Sequence, residues 1–353
     1  MKIGIYSDLH ISKTSSIIPL YNGDGNYTTR LQMIIDTGKW MYETFDKNNV
    51  DIIVNCGDTL DSSVVKAEEL SALNKFYSYS KGIKEYHIVG NHEISDSNGY
   101  FYSNSILSAF DFIEIIDTPK TVELDKRISF LPYRKTEDIP YSLIEKLKAD
   151  ILFSHIDIKG SKLRCEYILD TGVEPEYLAD NFLLTINGHL HTPEVVETTH
   201  NKVINIGSIS SISFVDSNTY IPSICVLDTD TMEIERFNNP HSILFRRHTC
   251  NNVQDILEYL RKLNPNYKYI LNITCPFNIK QEIKNIIENE EKILAHRIIL
   301  DTNDFDMVIE KSNDLNIQSM LNVDVKNEFI KFIKENNLNT YGKIEKYIEV
   351  INM

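Results

Sequence analysis

Over residues 1–237 short apolar runs alternate with helical or irregular stretches. This pattern predicts strands over Lys2–Tyr6, Val50–Asn55, Glu85–Val89, Ile128–Leu131, Ala149–Phe153, Phe182–Ile186, Val203–Ile206, Ser223–Leu227 and Met232–Phe237. Leu31, Ile34, Ile35, Trp40 and Met41 mark one apolar face and predict a helix over Arg30–Phe45, and a second helix is expected over Ala67–Tyr79. Alternating β and α elements, then late strands with a turn at Asp228-Thr229-Asp230, indicate an α/β sandwich.

The texture changes near Ser242. A helix carrying Val253, Ile256, Leu257 and Leu260, a strand over Tyr267–Ile273, a helix carrying Ile279, Ile283, Ile286 and Ile287, and a strand over Leu294–Leu300 form a compact unit of their own. The expected division is a main domain over 1–240, a small α/β domain over 241–300, an acidic linker over 301–322 and two amphipathic helices within 323–353. The last helix has a single stripe of Ile344, Tyr347, Ile348 and Ile351. Helices this short are marginal in isolation, so the stripe docks either on the protein's own body or on a partner.

Composition narrows the class. The 353 residues are 42% hydrophobic and 25% charged, and no apolar run approaches the roughly 18 residues that span a bilayer. The N-terminus runs straight into strand-like sequence, so the expectation is a cytoplasmic protein without a signal peptide or membrane contact. Five scattered cysteines, none in C-x-x-C spacing, predict buried reduced thiols. Cys56 beside Gly57-Asp58 has two readings, nucleophile or packing residue; an acidic neighbour and a strand context favour packing. A net charge of −15 argues against nucleic-acid binding by bulk electrostatics. Any phosphate-bearing substrate then needs a local device, either metal ions or a small basic loop.

Such a device is visible. Polar clusters follow five predicted strands: Asp8 and His10 in SDLH; Asp58 and Asp61 in GDTLD; Asn91, His92 and Glu93 in GNHE; His155 in SHID; His189 and His191 in GHLH. Ligands collect at strand C-terminal ends in open α/β sheets. Each cluster alone reads as a turn or a satisfied structural histidine. Together, carboxylates, an amide and imidazoles recur at one structural position, and this N/O donor set suits Mn²⁺, Fe²⁺ or Zn²⁺. His189 and His191, two apart, are expected to point the same way as on a strand.

The ordered series Asp-x-His, Gly-Asp-x-x-Asp, Gly-Asn-His-Glu, His, Gly-His-x-His resembles the calcineurin-like metallophosphoesterase superfamily. That resemblance implies a four-layer α/β/β/α sandwich and two divalent metal ions, Mn²⁺ or Mg²⁺. One ion would be held by Asp8, His10, Asp58 and His191, the other by Asp58, Asn91, His155 and His189, with Asp58 bridging. Two such ions about 3.5–4 Å apart stabilise both oxygens of an in-line phosphoryl displacement. His92 would face the scissile phosphate and help protonate the leaving group. Glu93 would orient His92, and Asp61 would fix the tautomer of a ligand histidine.

Ser62-Ser63 after Asp61 differs from the Arg-Gly of the superfamily's protein phosphatases. GVEPEYL (172–178), NIGSIS (205–210), FLPYR (130–134) and the hairpin VLDTDTMEIERFNN (226–239) resemble SbcD-type DNA repair nucleases, most closely the recombination endonuclease subunits of T-even-like bacteriophages. This implies a DNA-capping role for the small domain, an SbcC-type coiled-coil ATPase partner for the terminal helices, and a homodimer. Glu93 stands where these nucleases commonly have aspartate, and Ser12–Tyr27 has no assigned contacts. Lys159, Lys162 and Arg164, just after His155, are candidate DNA contacts, with a solvated loop as the plainer reading. The run Gly99-Tyr100-Phe101-Tyr102 reads as packing or interface more readily than as a base-stacking platform. Hydrolysis of small phosphoesters is the alternative function. A non-catalytic DNA and ATPase scaffold is a third reading; it predicts missing ligands, and none is missing.

Overall fold

The computed structural model describes residues 1–13, 27–94, 106–135, 139, 141–164, 167–214 and 220–300. The acidic linker, the terminal helices, most of Ser12–Tyr27 and the Gly99–Tyr102 run lie outside the described residues. Two six-stranded sheets form the body. The first contains β1 (Lys2–Tyr6), β2 (Ile52–Asn55), β3 (Glu85–Ile88), β4 (Ile113–Ile116), β13 (Ser223–Asp228) and β14 (Glu233–Asn238), in the order β14-β13-β1-β2-β3-β4. The second contains β5 (Lys120–Glu123), β6 (Arg127–Leu131), β7 (Ile151–Ser154), β10 (Leu184–Asn187), β11 (Glu194–Val196) and β12 (Lys202–Asn205), in the order β11-β12-β10-β7-β6-β5. β1 to β4 pair in parallel, as do β6, β7, β10 and β12.

Central parallel strands are buried on both faces, and so read as near-continuous apolar runs. The sheets meet through Ile3, Ile5, Val54 and Ile88 on one side and Phe130, Phe153, Leu184 and Ile186 on the other. Outside the first sheet lie α1 (Thr29–Lys47) and α2 (Ala67–Tyr77), packing Leu31, Ile34, Phe45, Leu73 and Phe76 against it. Outside the second lie α3 (Tyr141–Leu147) and α4 (Pro175–Asn181), through Ile144, Leu147, Leu178 and Ala179. The layers are therefore α/β/β/α, as expected. α1 starts where Thr28 caps it, its hydroxyl accepting the Leu31 amide at 3.3 Å.

The pattern missed several strands. β4 and β5 carry polar residues along sheet edges, and β11 is short and half-exposed. A small hairpin, β8 (Lys162–Arg164) with β9 (Tyr167–Ile168), occupies the basic loop. Beyond residue 242, a three-stranded parallel sheet of β15 (Ile243–Thr249), β16 (Lys268–Cys275) and β17 (Ile293–Leu300) carries α5 (Val253–Lys262) and α6 (Lys280–Glu288). The expectation there had two strands. β15 escaped it because its second half is Arg246-Arg247-His248-Thr249. Leu244, Ile256, Leu260, Leu271, Ile273, Ile283 and Ile287 form this unit's own core. Its other face sends Ile243, Phe245 and Ile270 into the main core beside Phe214.

Cys56, Cys225, Cys250 and Cys275 are buried thiols outside any disulfide. Burial, reinforced by the charge of Asp8, pushes the Cys56 thiol well above its usual range, so packing is its role. No helix among the described residues is long and apolar enough to cross a membrane.

Phe130 is fully buried between Tyr86 of the first sheet, 5.0 Å between ring centroids, and Phe153 of its own sheet at 5.9 Å. Phe130→Ala is expected to lower the unfolding free energy by about 3–5 kcal/mol, measured by urea denaturation. A loss below about 1 kcal/mol would mean that the two sheets do not depend on this contact.

Candidate metal centre

The loops after β1 and β2 run side by side and bond backbone to backbone. The amides of Asp8, His10 and Ile11 donate to the carbonyls of Gly57, Asp58 and Thr59 at 2.9, 3.0 and 2.9 Å. Asp8, His10, Asp58 and His189 all have positive φ, between 46° and 68°. Non-glycine residues rarely adopt that region, and such strain clusters at functional sites. Two glycines permit the close approach: a Cβ on Gly57 would lie 2.3 Å from His155 Nδ1, and one on Gly90 would lie 2.1 Å from Asp58 Oδ1.

Three groups of ligand atoms result; one, His10, Asp61 and His92, shares His10 with its neighbour, and the other two are made up of expected ligands. Asp8, His10 and His191 form one, and Asp58, His155 and His189 the other, the atoms within each group lying within 4.8 Å of one another. Asp58 Oδ2 faces both, 3.6 Å from His10 Nε2 and 3.3 Å from His155 Nε2. Asn91 Oδ1 accepts from His155 Nε2 at 3.1 Å. His191 Nε2 lies 3.2 Å from His10 Nε2 and 3.6 Å from Asp8 Oδ1. The seven residues expected as ligands thus lie close together, with Asp58 facing both groups and Asn91 beside His155. A divalent cation fits this geometry, because both oxygens of Asp8 are buried and accept no hydrogen bond. A buried carboxylate in that state needs a cation.

The residues behind the ligands set which nitrogen faces inward. His155 Nδ1 donates to the Cys56 carbonyl at 2.6 Å, leaving Nε2 for an ion. His10 Nδ1 approaches Asp61 Oδ1 to 3.4 Å, an ion-pair contact that directs Nε2 inward. His189 Nε2 donates to Asp157 Oδ1 at 3.1 Å, leaving Nδ1 for the centre. Asp157 was not anticipated, although it repeats the Asp-His spacing of Asp8 and His10 in reverse. Tyr133 has no role in the sequence reading beyond the FLPYR motif, but its ring lies 5.7 Å from that of His189 and 6.3 Å from that of His155. Arg30, fully buried on α1, donates to the His10 carbonyl at 3.0 Å and to that of Ser211 at 3.1 Å.

Three expectations need adjustment. His189 and His191 do not sit on a strand: β10 ends at Asn187, and the left-handed turn at His189 sends the two rings to different groups. Glu93 braces the loops on either side of the site. Its buried carboxylate accepts the amides of Gly90 at 2.8 Å, Thr59 at 3.0 Å and Leu60 at 3.3 Å, fixing the Asp58 loop against the turn that carries His92. In the basic loop, Lys159 Nζ pairs with Glu174 at 2.5 Å and Lys162 Nζ approaches Glu194 at 3.9 Å, while Arg164 ends β8. His92 itself is exposed. Its amide donates to Asp58 Oδ1 at 3.0 Å, its Nδ1 donates to the Asp61 carbonyl at 2.9 Å, and its ring packs edge-on to His10 at 4.6 Å.

Residues 1–193 match the Metallophos family, the calcineurin-like phosphoesterases. The chain belongs to that family. Curated protein sequences give no match to this phosphoesterase. Among solved structures it is similar to a dimetal phosphatase from Danio rerio (11% identity, 68% of this chain and 99% of that one, TM-score 0.37). It is also similar to a purple acid phosphatase from yellow lupin, Lupinus luteus (13%, 68% and 51%, 0.42), of which it spans about half the length, and to the phosphoesterase Yfce from E. coli (14%, 68% and 100%, 0.32). Family membership carries phosphoester hydrolysis as the reaction class, and the Asp/His groups are able to hold metal.

The electrostatics make the metal-free phosphoesterase sensitive to pH. Burial disfavours a charged His10, but Asp61, Asp8 and Asp58 outweigh it and raise its pKa to about 10. For His155, burial is outweighed by Asp58, Asp8 and the Cys56 carbonyl, giving about 9. Burial also works against an ionised Asp58, yet His155, His10 and His92 hold its carboxyl below the usual range. Folded histidine values above the unfolded value of about 6.5 stabilise the fold fully below that pH, and the contribution disappears as pH rises through about 9 to 10. The chelator-treated protein should therefore lose thermal stability between pH 7 and pH 10. Added Mn²⁺, which needs deprotonated imidazoles, should stabilise more as pH rises. Calorimetry over that range checks both, and a flat profile without metal would contradict the assignment.

Proposed function

We propose that this phosphoesterase is a DNA nuclease dependent on two divalent ions, Mn²⁺ or Mg²⁺, working as a homodimer with an SbcC-type coiled-coil ATPase. The observation that carries the hydrolytic part is the pair of ligand groups sharing one Asp58 oxygen. Asp8, His10, Asp58 and His191 would hold one ion, and Asp58, Asn91, His155 and His189 the other. When bound, the pair supplies Lewis acidity and lowers the pKa of a water molecule. In its imidazolium form His92 keeps its Nδ1 proton on the Asp61 carbonyl and would pass the second proton, on Nε2, to the leaving alkoxide, ending as the neutral Nδ1–H imidazole.

Support for a polymeric substrate comes from the small unit, to which we assign the DNA-capping role. Arg247, Asn272 and Arg297 lie in register across β15, β16 and β17. Phe245, Ile270 and Ala295, two residues earlier on each strand, face the main body, so by the two-residue period the row lies on that same face, beyond the packed edge. Arg247 and Arg297 are exposed, and Arg247 lies over Phe214 at 6.0 Å. Residues leading to Phe214 start at the metal centre, where the Ser208 amide donates to the His191 carbonyl. The largely buried segment Ser208–Phe214 thus links the loop of the centre to the sheet that carries this row, and we assign the row to the DNA path. Residues 323–353 are assigned as the ATPase-binding segment. The ion pairs of Lys159 and Lys162 favour the second reading, hydrolysis of small phosphoesters, because they leave less free positive charge beside the centre.

End-labelled linear and hairpin DNA, incubated with Mn²⁺ or Mg²⁺ with and without the ATPase, tests the proposal beside bis-p-nitrophenyl phosphate. His92→Ala is expected to lose about 100-fold or more in cleavage while still binding Mn²⁺. Undiminished cleavage would refute the role of His92, and turnover of the small ester without any DNA cleavage would select the second reading. The double substitution Arg247→Glu and Arg297→Glu should weaken DNA binding and reduce the slope of log K against log salt by about 2. An unchanged slope would remove the arginine row from the DNA path.

A further inference from the structure

A second polar cluster is sealed between the first sheet and its helices, away from solvent and from the metal centre. Glu85 and His87 on β3, Tyr6 on β1, Asn55 on β2, Tyr42 on α1 and Tyr77 on α2 are all buried. Among the described residues Glu85 is held by hydroxyls and an imidazole rather than by an arginine or lysine. Its Oε1 accepts the Tyr42 hydroxyl at 2.5 Å, and its Oε2 accepts His87 Nε2 at 2.9 Å and the Tyr6 hydroxyl at 3.4 Å. Burial, with the charge of Glu85, pushes the Tyr42 phenol well above its usual value, so that hydroxyl remains a donor. Retaining so costly a group in a core needs a reason.

The hydrogen bonds give a direction to the cluster. The Gly57 amide donates to Asn55 Oδ1 at 3.0 Å, which fixes the orientation of that amide side chain and points its Nδ2 at Thr59 Oγ1 and, at 3.5 Å, at His87 Nδ1. A donor facing Nδ1 requires that nitrogen to be the unprotonated one. The proton of His87 therefore sits on Nε2, where Glu85 accepts it. Glu85 thus selects the imidazole tautomer, the imidazole orients Asn55, and Asn55 holds the residues on either side of Asp58. The strained turn at Asp58, with φ of 53°, is gripped from beneath by this relay and from above by Glu93.

We propose that Glu85 is a remote positioning residue for the metal centre, acting through His87 and Asn55 on the turn that presents Asp58. This rests on the reading of Asp58 as a ligand. Nothing in the relay touches substrate, so its effect is on ion affinity before any effect on chemistry.

Glu85→Gln keeps the size of the side chain but removes the negative charge that holds the His87 proton on Nε2, which frees the imidazole to reverse and turn Nδ1–H against Asn55. In the full-length protein this variant should bind Mn²⁺ about 10- to 100-fold more weakly by titration calorimetry. Tyr42→Phe removes another donor from the same carboxylate without touching the relay, and should lose stability while binding Mn²⁺ as the wild type does. Wild-type affinity in Glu85→Gln, or equal weakening in both variants, overturns the proposal. The side-chain ¹⁵N shifts of His87 in the wild type give a measurement that needs no variant to fold. A neutral imidazole protonated at Nε2 is expected, and a cation or an Nδ1–H tautomer overturns the relay. A wild type that takes up no Mn²⁺ would defeat the metal-centre reading and this proposal together, while the tautomer would still report whether the relay exists.

Discussion

One carboxylate oxygen, Asp58 Oδ2, lies within reach of an imidazole from each of the two ligand groups. Burying it there is costly unless positive charge surrounds it, and much of the surrounding chain answers that need. The loops after β1 and β2 are laced together by main-chain hydrogen bonds, Gly57 and Gly90 give up side chains so that His155 and Asp58 can approach, and Glu93 pins the loop ends. Without ions, protonated His10 and His155 balance the charge; with ions, the same imidazoles become ligands. The site therefore exchanges protons for metal rather than standing charged and empty.

Much of this was legible in the chain itself, for a physical reason. Strands buried on both faces must be apolar throughout, so β1, β2, β3, β7 and β10 stand out, and the residues directly after them fall at the sheets' C-terminal ends. Asp8, Asp58, Asn91, His155 and His189 were therefore locatable from position alone. Edge strands were not, because β5 (Lys-Thr-Val-Glu) and the outer half of β15 need be apolar on one side or neither. Local backbone sign was equally hidden. Nothing in Gly-His-Leu-His shows that His189 takes a left-handed conformation, yet that turn separates its ring from that of His191. Asp157, Tyr133 and Arg30 escaped notice because their importance comes from tertiary neighbours, whereas Glu93 was recognised by position and its bonds to the Gly90, Thr59 and Leu60 amides could not be read from the chain.

Beneath the centre, polar side chains continue inward along both sheets. Asn187 accepts from Ser154 Oγ at 2.8 Å and the Ile156 amide at 3.0 Å, and donates to Asn205 Oδ1, which in turn holds Ser161 through its own amide. In the first sheet the cluster around Glu85 has a comparable place. Buried amides and hydroxyls of this kind, with their bonds satisfied, make loop shape insensitive to solvent. Each sheet thus carries its own support beneath the residues it contributes.

Those contributions are unequal. The first sheet supplies the aspartates and the asparagine proposed as ligands, while the second supplies three of the four proposed imidazoles. The centre is therefore a seam, and its width is set by how the two sheets pack, residues away from any ligand. Exchanging side chains of similar shape along the Tyr86–Phe130–Phe153 stack would slide one sheet against the other by fractions of an ångström. That makes the hydrophobic interior a tuning screw for the spacing of the two ion positions, one that laboratory evolution can turn without altering a single polar residue.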